Sequence, residues 1–117
     1  MIRRLAFAAV LALAAVSANA ATLYVTEFVG APPTSVFYQA AKVPASAQQT
    51  VGISGVQVQS NAFLSTTGLV RIHCDVICNV NFGINPGVTT GMMRLTAGQT
   101  EYFVVNPGDK VAVIAGT

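Results

Sequence analysis

From Val70 to Phe82 every second residue is apolar: Val70, Ile72, Cys74, Val76, Cys78, Val80 and Phe82 alternate with Arg71, His73, Asp75, Ile77, Asn79 and Asn81. A period of two marks a half-buried β-strand, because successive side chains leave an extended backbone on opposite faces. As one strand these 13 residues would run over roughly 40 Å at about 3.3 Å per residue, longer than strands in small domains usually are. The run therefore predicts two strands, 69–74 and 77–82, separated by a tight connection or bulge near Asp75.

The same period recurs along the chain. TLYVTEFV, over 22–29, places Leu23, Val25 and Glu27 against Tyr24, Thr26 and Phe28, and it stops at Gly30-Ala31-Pro32-Pro33, where prolines cannot feed a sheet ladder. Further strands are expected over 35–41, over 50–59 around a Ser54-Gly55 bulge or turn, and over 92–95, 100–105 and 110–115, with 62–64 as a short edge strand. Residues 43–49 read as a polar connection. Asn85-Pro86-Gly87 and Asn106-Pro107-Gly108 each carry proline and glycine at the central positions of a type II turn. Ala97-Gly98-Gln99 and Pro107-Gly108-Asp109 read as hairpin connections. No stretch of the body has a helical period. Short antiparallel strands at this spacing predict an all-β fold, a two-sheet β-sandwich of jelly-roll or Greek-key type, over residues 21–117.

The first 20 residues differ in kind. A cationic start with Arg3 and Arg4, an unbroken apolar run over 5–16, and Ser17-Ala18-Asn19-Ala20 follow the plan of a secretory signal peptide, with cleavage between Ala20 and Ala21. The apolar run is too short for the ~20 residues that span a bilayer. The alternative is an apolar helix retained as an assembly or membrane-contacting element.

Composition narrows the function. The chain has 117 residues, 53% of them hydrophobic and 9% charged, with six Lys and Arg against four Asp and Glu. Without Arg3 and Arg4 the body is neutral, so it has no basic track for nucleic-acid phosphates. So apolar a sandwich, with few lysines to blunt its sheet edges, is expected to hide them in a homo-oligomer, a dimer or trimer, or in a larger assembly. One histidine, four dispersed acids (Glu27, Asp75, Glu101, Asp109) and no nucleophile elbow provide no catalytic set, and no cofactor is expected. The glycines of 83–91 are not followed by the Lys-Ser/Thr of a phosphate loop.

Cys74 and Cys78, beside His73 and Asp75, are zinc-ligand types. On one strand, however, adjacent residues diverge and residues four apart stand roughly 13 Å from one another, so the spacing builds no metal site. If the chain reverses through Asp75-Val76-Ile77, the cysteines face each other and would form a disulfide in an exported protein; in the cytoplasm they stay as two core thiols. The reading from sequence favours core thiols. Arg71 and Arg94 are the candidate interface anchors, with an ion pair to Glu27, Asp75 or Glu101 as the alternative role.

The residues TLYVTEF over 22–28, Val70-Arg71-x-His73-x-Asp75-x-x-Cys78-x-x-x-Phe82-Gly83-x-Asn85-Pro86, Leu95-x-Ala97-Gly98-Gln99-Thr100-Glu101-Tyr102-Phe103 and Pro107-Gly108-x-Lys110-Val111-Ala112-Val113-Ile114 together resemble small virion structural proteins of tailed bacteriophages. The resemblance implies a non-enzymatic β-sandwich acting as a capsid decoration or cement protein, with itself and a major capsid or other virion protein as partners, on the capsid surface. The chain departs from that pattern twice: relatives of this type begin at the equivalent of Ala21, and a small polar residue is expected where Cys74 stands. The leader supports the other expectation, a secreted or periplasmic β-sandwich binding or adhesion module released by cleavage at Ala20.

Overall fold

The computed structural model describes residues 21–30 and 41–117. The N-terminal segment 1–20, with Ala20, lies outside the described residues, as does nearly all of the strand expected over 35–41. Eight strands are formed: β1 (Thr22–Val29), β2 (Ala47–Gly52), β3 (Val58–Gln59), β4 (Thr67–Cys74), β5 (Cys78–Gly83), β6 (Met93–Leu95), β7 (Thr100–Val104) and β8 (Lys110–Ala115). They build two four-stranded sheets, in the orders β2-β1-β4-β7 and β3-β8-β5-β6, and every pairing is antiparallel. The fold is therefore all-β, a two-sheet sandwich, as the alternation predicts.

From β2 onward the chain changes sheet at every connection except the β5-to-β6 hairpin. This is the winding of a jelly roll, with β1 in the central place that a strand following β8 would take. It explains three differences from the sequence reading. The expected strand over 50–59 is two strands, β2 and β3, in opposite sheets. The connections at 97–99 and 107–109 are not hairpins but crossings from one sheet to the other. Residues 62–64 form no strand; instead Phe63 exchanges backbone hydrogen bonds of 2.7 and 3.1 Å with Asp109 and Gly108, and its ring is buried.

The core lies between the sheets and follows the predicted parity. Leu23 and Val25 of β1, Val70, Ile72 and Cys74 of β4, Cys78 and Val80 of β5, and Val111 and Val113 of β8 are all essentially inaccessible. Val76 and Phe82 are partly buried against them. Glu27 keeps the inward parity too, and its buried carboxylate accepts hydrogen bonds of 2.8 Å from the Leu64 N–H and the Thr67 hydroxyl, closing the end of β1 onto the start of β4. A buried carboxylate needs such donors to offset its lost hydration.

Two turns are built by glycine. Gly108, at φ 83° after Pro107, fits a type II turn closed by the Asp109 N–H donating to Asn106 O at 3.2 Å. Gly98, at φ 78°, serves the crossing between β6 and β7. Gly87 has no positive φ, so the Asn85-Pro86-Gly87 segment is not the type II turn its residues predict. It belongs to a loop held across the outside of the sheet, described below.

At one end of β1 and β4 the backbones nearly touch. A Cβ on Gly68 would stand 2.6 Å from the Gly30 Cα, and one on Gly30 would stand 2.8 Å from the Gly68 Cα. Gly68→Ala is therefore expected to lower stability by about 1–3 kcal/mol through a clash that only backbone movement relieves. Gly52→Ala, where a Cβ meets nothing within 4 Å, is expected to stay within about 0.5 kcal/mol of the parent. Urea unfolding of both variants checks this, and equal midpoints for the two would contradict the close approach.

Candidate functional site

The two sheets present very different outer faces. On the β3-β8-β5-β6 sheet, amide side chains reach out and hold the loop of residues 84–92. Gln59 Nε2 donates to Asn85 Oδ1 and Pro86 O at 2.8 and 2.9 Å, Asn81 Nδ2 donates to Gly87 O at 2.9 Å, and Asn79 Nδ2 donates to Met92 O at 2.8 Å. In return, Gln57 Oε1 accepts the Val88 N–H at 2.7 Å. Val88 is buried, and so is Ala112, whose position on β8 points away from the core. This face is covered by the chain's own loop. Asn79 was expected on an outward, solvated face; beneath the loop it is 1% exposed. Its Oδ1 is the one buried side-chain polar atom among the described residues without a partner.

On the outer face of the β2-β1-β4-β7 sheet no loop of the described residues is bonded across the middle rows, whereas outward-facing Phe28 and Leu69 toward the Gly30 end are buried. Register sets one row as Thr50, Tyr24, His73 and Thr100 and the next as Gln48, Thr26, Arg71 and Tyr102. Tyr24 is 44% and Tyr102 54% exposed, and Val104 beyond them 65%. Arg71 and His73 are half-buried between the tyrosines. The Thr100 hydroxyl links the two, lying 2.8 Å from His73 Nδ1 and 3.4 Å from Arg71 Nη2. The Tyr24 and His73 rings sit 6.1 Å apart, tilted by 55°. Tyr24, Thr26, Gln48 and Thr50 line a shallow depression at the β2 side.

No acidic residue of these strands points outward on this face. Glu27 is turned into the core, and Glu101, the register partner of inward-facing Ile72, accepts a hydrogen bond of 2.8 Å from Gln99 Nε2. Asp75 sits past the end of β4 and accepts the Thr22 N–H at 2.7 Å. The carboxylates considered as ion-pair partners for Arg71 are therefore engaged elsewhere, and among the described residues the guanidinium has the Thr100 hydroxyl as its hydrogen-bond partner. Tyrosine with arginine is the composition that protein contact surfaces concentrate, because both bring large area and directed hydrogen bonds.

Arg94 is not part of this face. It lies on β6, at the edge of the opposite sheet and exposed, with Asn79 as its register partner. The two expected anchors are thus separated, and only Arg71 has aromatic company. Sequence reasoning missed Tyr24 and Tyr102; the outward parity of Tyr24 was readable in TLYVTEFV, but that Tyr102 lies opposite Arg71 is a matter of strand pairing.

The cysteines depart from the favoured reading. Cys74 and Cys78 form a disulfide, with Cα atoms 6.4 Å apart and both residues fully buried, in place of two core thiols. The reason is the reversal through Asp75-Val76-Ile77, which carries the chain from β4 in one sheet to β5 in the other. The bond therefore ties the sheets together at the corner where the chain switches between them. It also removes both sulfurs from any ligand set, and among the described residues no group of three or more His, Cys, Asp or Glu gathers as a metal site.

Replacing both cysteines with alanine is expected to lower stability by about 2 kcal/mol from chain entropy alone, since the closed loop is short, with a further loss from the vacated core volume. Chemical denaturation under non-reducing conditions measures the sum; a double variant as stable as the parent would show that the corner holds without the bond. No protein-family model, no curated protein and no solved structure matches the chain.

Proposed function

We propose that this protein is an exported, non-enzymatic binding module that uses the open face of its β2-β1-β4-β7 sheet to hold a partner. The observation that carries the reading is the asymmetry of the sandwich: one outer face is capped by residues 84–92, while the other displays Tyr24, Arg71, His73 and Tyr102. The absence of carboxylates among the outward residues of that face favours a partner that supplies them. It also disfavours face-to-face pairing of two copies, which would bring Arg71 toward Arg71. Self-association, where it occurs, would then use the sheet edges.

Export is supported by the leader and the disulfide together. Disulfides persist in oxidising compartments and are rare in the cytoplasm. The two departures from the phage-like pattern, an added leader and Cys74, then share one cause: a chain sent out of the cytoplasm meets conditions in which a second cysteine beside Cys78 becomes a crosslink. The capsid-decoration reading rests on the sequence resemblance, and it would use the same open face against a capsid protein.

Intact mass of the native chain separates the readings. The export reading expects a chain beginning at Ala21, lighter by the two hydrogens of one disulfide, outside the cytoplasm and absent from purified virus-like particles. Stoichiometric copies in such particles, with Met1 retained, would instead support decoration. For the face itself, retention of the purified chain on envelope fractions of the producing cells is expected to fall at least tenfold in Arg71→Ala/Tyr102→Ala and to persist in Arg94→Ala.

A further inference from the structure

The sheet-switch corner also gathers the start of the sandwich. Ala21 O accepts the Ile53 N–H at 2.8 Å, and β1 pairing begins one residue later, with Thr22 opposite Gly52. Thr22 and Asp75 are bonded twice: the Thr22 N–H donates to Asp75 Oδ1 at 2.7 Å, and the Asp75 N–H donates to Thr22 O at 3.2 Å. Asp75 is exposed, and among the described residues no cation is bonded to its carboxylate.

We propose that cleavage between Ala20 and Ala21 creates an α-ammonium group that the Asp75 carboxylate holds, making Asp75 the receptor for the processed end of the chain. This rests on the export reading. Consecutive backbone nitrogens are separated by about 3.5 Å, so the Ala21 nitrogen stands within roughly 6 Å of the oxygen that already binds Thr22, inside the range where opposite charges perturb each other. In the unprocessed chain the same nitrogen is a neutral amide and brings no charge to pair with the carboxylate. Cleavage one residue before the first ladder pair leaves no tail projecting from β1, and the new charge arrives where a carboxylate lacks a cation.

Few other charges face this corner. From β4 the nearest titratable side chain is His73, opposite Tyr24. From β2 the neighbours Gly52 and Ile53 carry none, and the crossing at 96–99, which donates the Gly98 N–H to Cys74 O at 2.8 Å, carries none. After β8, Gly116 donates its N–H to Ile77 O at 2.8 Å, and residues 115–117 bring no charged side chain.

The test uses the chain released by a protease so that Ala21 is its first residue, with the disulfide formed. The Ala21 amine is titrated by NMR in the parent and in Asp75→Asn. An α-amino group ordinarily titrates near 7.7–8.0; the parent is expected about half a unit higher, and Asp75→Asn is expected to lose that rise. A raised amine pKa stabilises the fold below about pH 8 and ceases to do so as pH climbs through the folded value. N-terminal acetylation, which leaves Asp75 intact, should therefore abolish the loss of melting temperature that the parent shows between pH 7.5 and 9.5.

Equal amine titration in parent and Asp75→Asn, or identical pH dependence with and without acetylation, overturns the proposed contact. Native material that retains Met1 overturns the processing step, and the export reading with it. The titration, done on a chain made to begin at Ala21, does not depend on export, so the two failures are distinguishable.

Discussion

The structure turns on the corner at Cys74–Cys78. A sandwich of this size buries only somewhat more than 60% of the surface its unfolded chain exposes, so its core is thin and the relative placement of the two sheets is weakly held by packing alone. A jelly-roll winding sends most connections across the core, and each crossing must be short and correctly aimed. At this corner the aim is fixed covalently. Cys74 ends β4 in one sheet, Cys78 begins β5 in the other, and the bond lies in the buried layer between Ile72 and Val80. The surrounding backbone closes on the same point: Gly98 donates to Cys74 O, Gly116 donates to Ile77 O, and Asp75 pairs with Thr22. The crossing from β6, the end of β8 and the start of β1 are thus registered against one crosslinked turn.

That registration sets the difference between the two outer faces. With β4 and β5 in opposite sheets, the outward residues after Val70 are divided between two surfaces. Arg71 and His73 face out from one sheet; Asn79 and Asn81 face out from the other, where they serve as donors for the 84–92 loop. Amides suit that role because each can donate to a loop carbonyl while bearing no charge that the covering loop would desolvate. The cover is not perfectly matched, since Asn79 Oδ1 is left unpaired beneath it. A Cβ on Gly116 would come within 3.0 Å of that atom and 2.6 Å of Ile77 Cγ2, so the chain end passes too close for a side chain there.

Much of the sandwich was legible in period-two patterning. β1, β8 and the pair β4 and β5 were readable because each sends alternate residues into the core, although Phe28, Leu69, Asn79 and Ala112 of the opposite parity are buried as well, and the bend at Asp75 followed from length alone. What could not be read was sheet membership. Val51 and Val58 look like one interrupted strand, yet they belong to opposite sheets, because the interruption at Ser54-Gly55 spans the core rather than bulging a ladder. The hairpins expected at Gly98 and Gly108 failed for the same reason: a tight turn looks alike whether the chain returns beside itself or crosses to the other layer. The disulfide depended on that unknown too, since the spacing of Cys74 and Cys78 suits a bond only if the chain reverses. Of the open face, Arg71 and His73 were visible as polar residues in an apolar alternation, while their neighbour Tyr102 is placed by pairing between β4 and β7.

The polar residues of the open face are arranged around one hydroxyl. His73 Nδ1 lies 2.8 Å from the Thr100 hydroxyl, and among the described residues no carboxylate is bonded to the ring. The Arg71 guanidinium shares the same hydroxyl at 3.4 Å, so both cation-forming groups are held side by side, half-buried between the tyrosines. In the proposed binding role such a surface would make a broad contact, in which Arg71 is desolvated only when a partner arrives and the tyrosines close around it. If the face binds as proposed, its guanidinium keeps it hydrated until a partner supplies matching carboxylates, a role that suits a chain with only 9% charged residues.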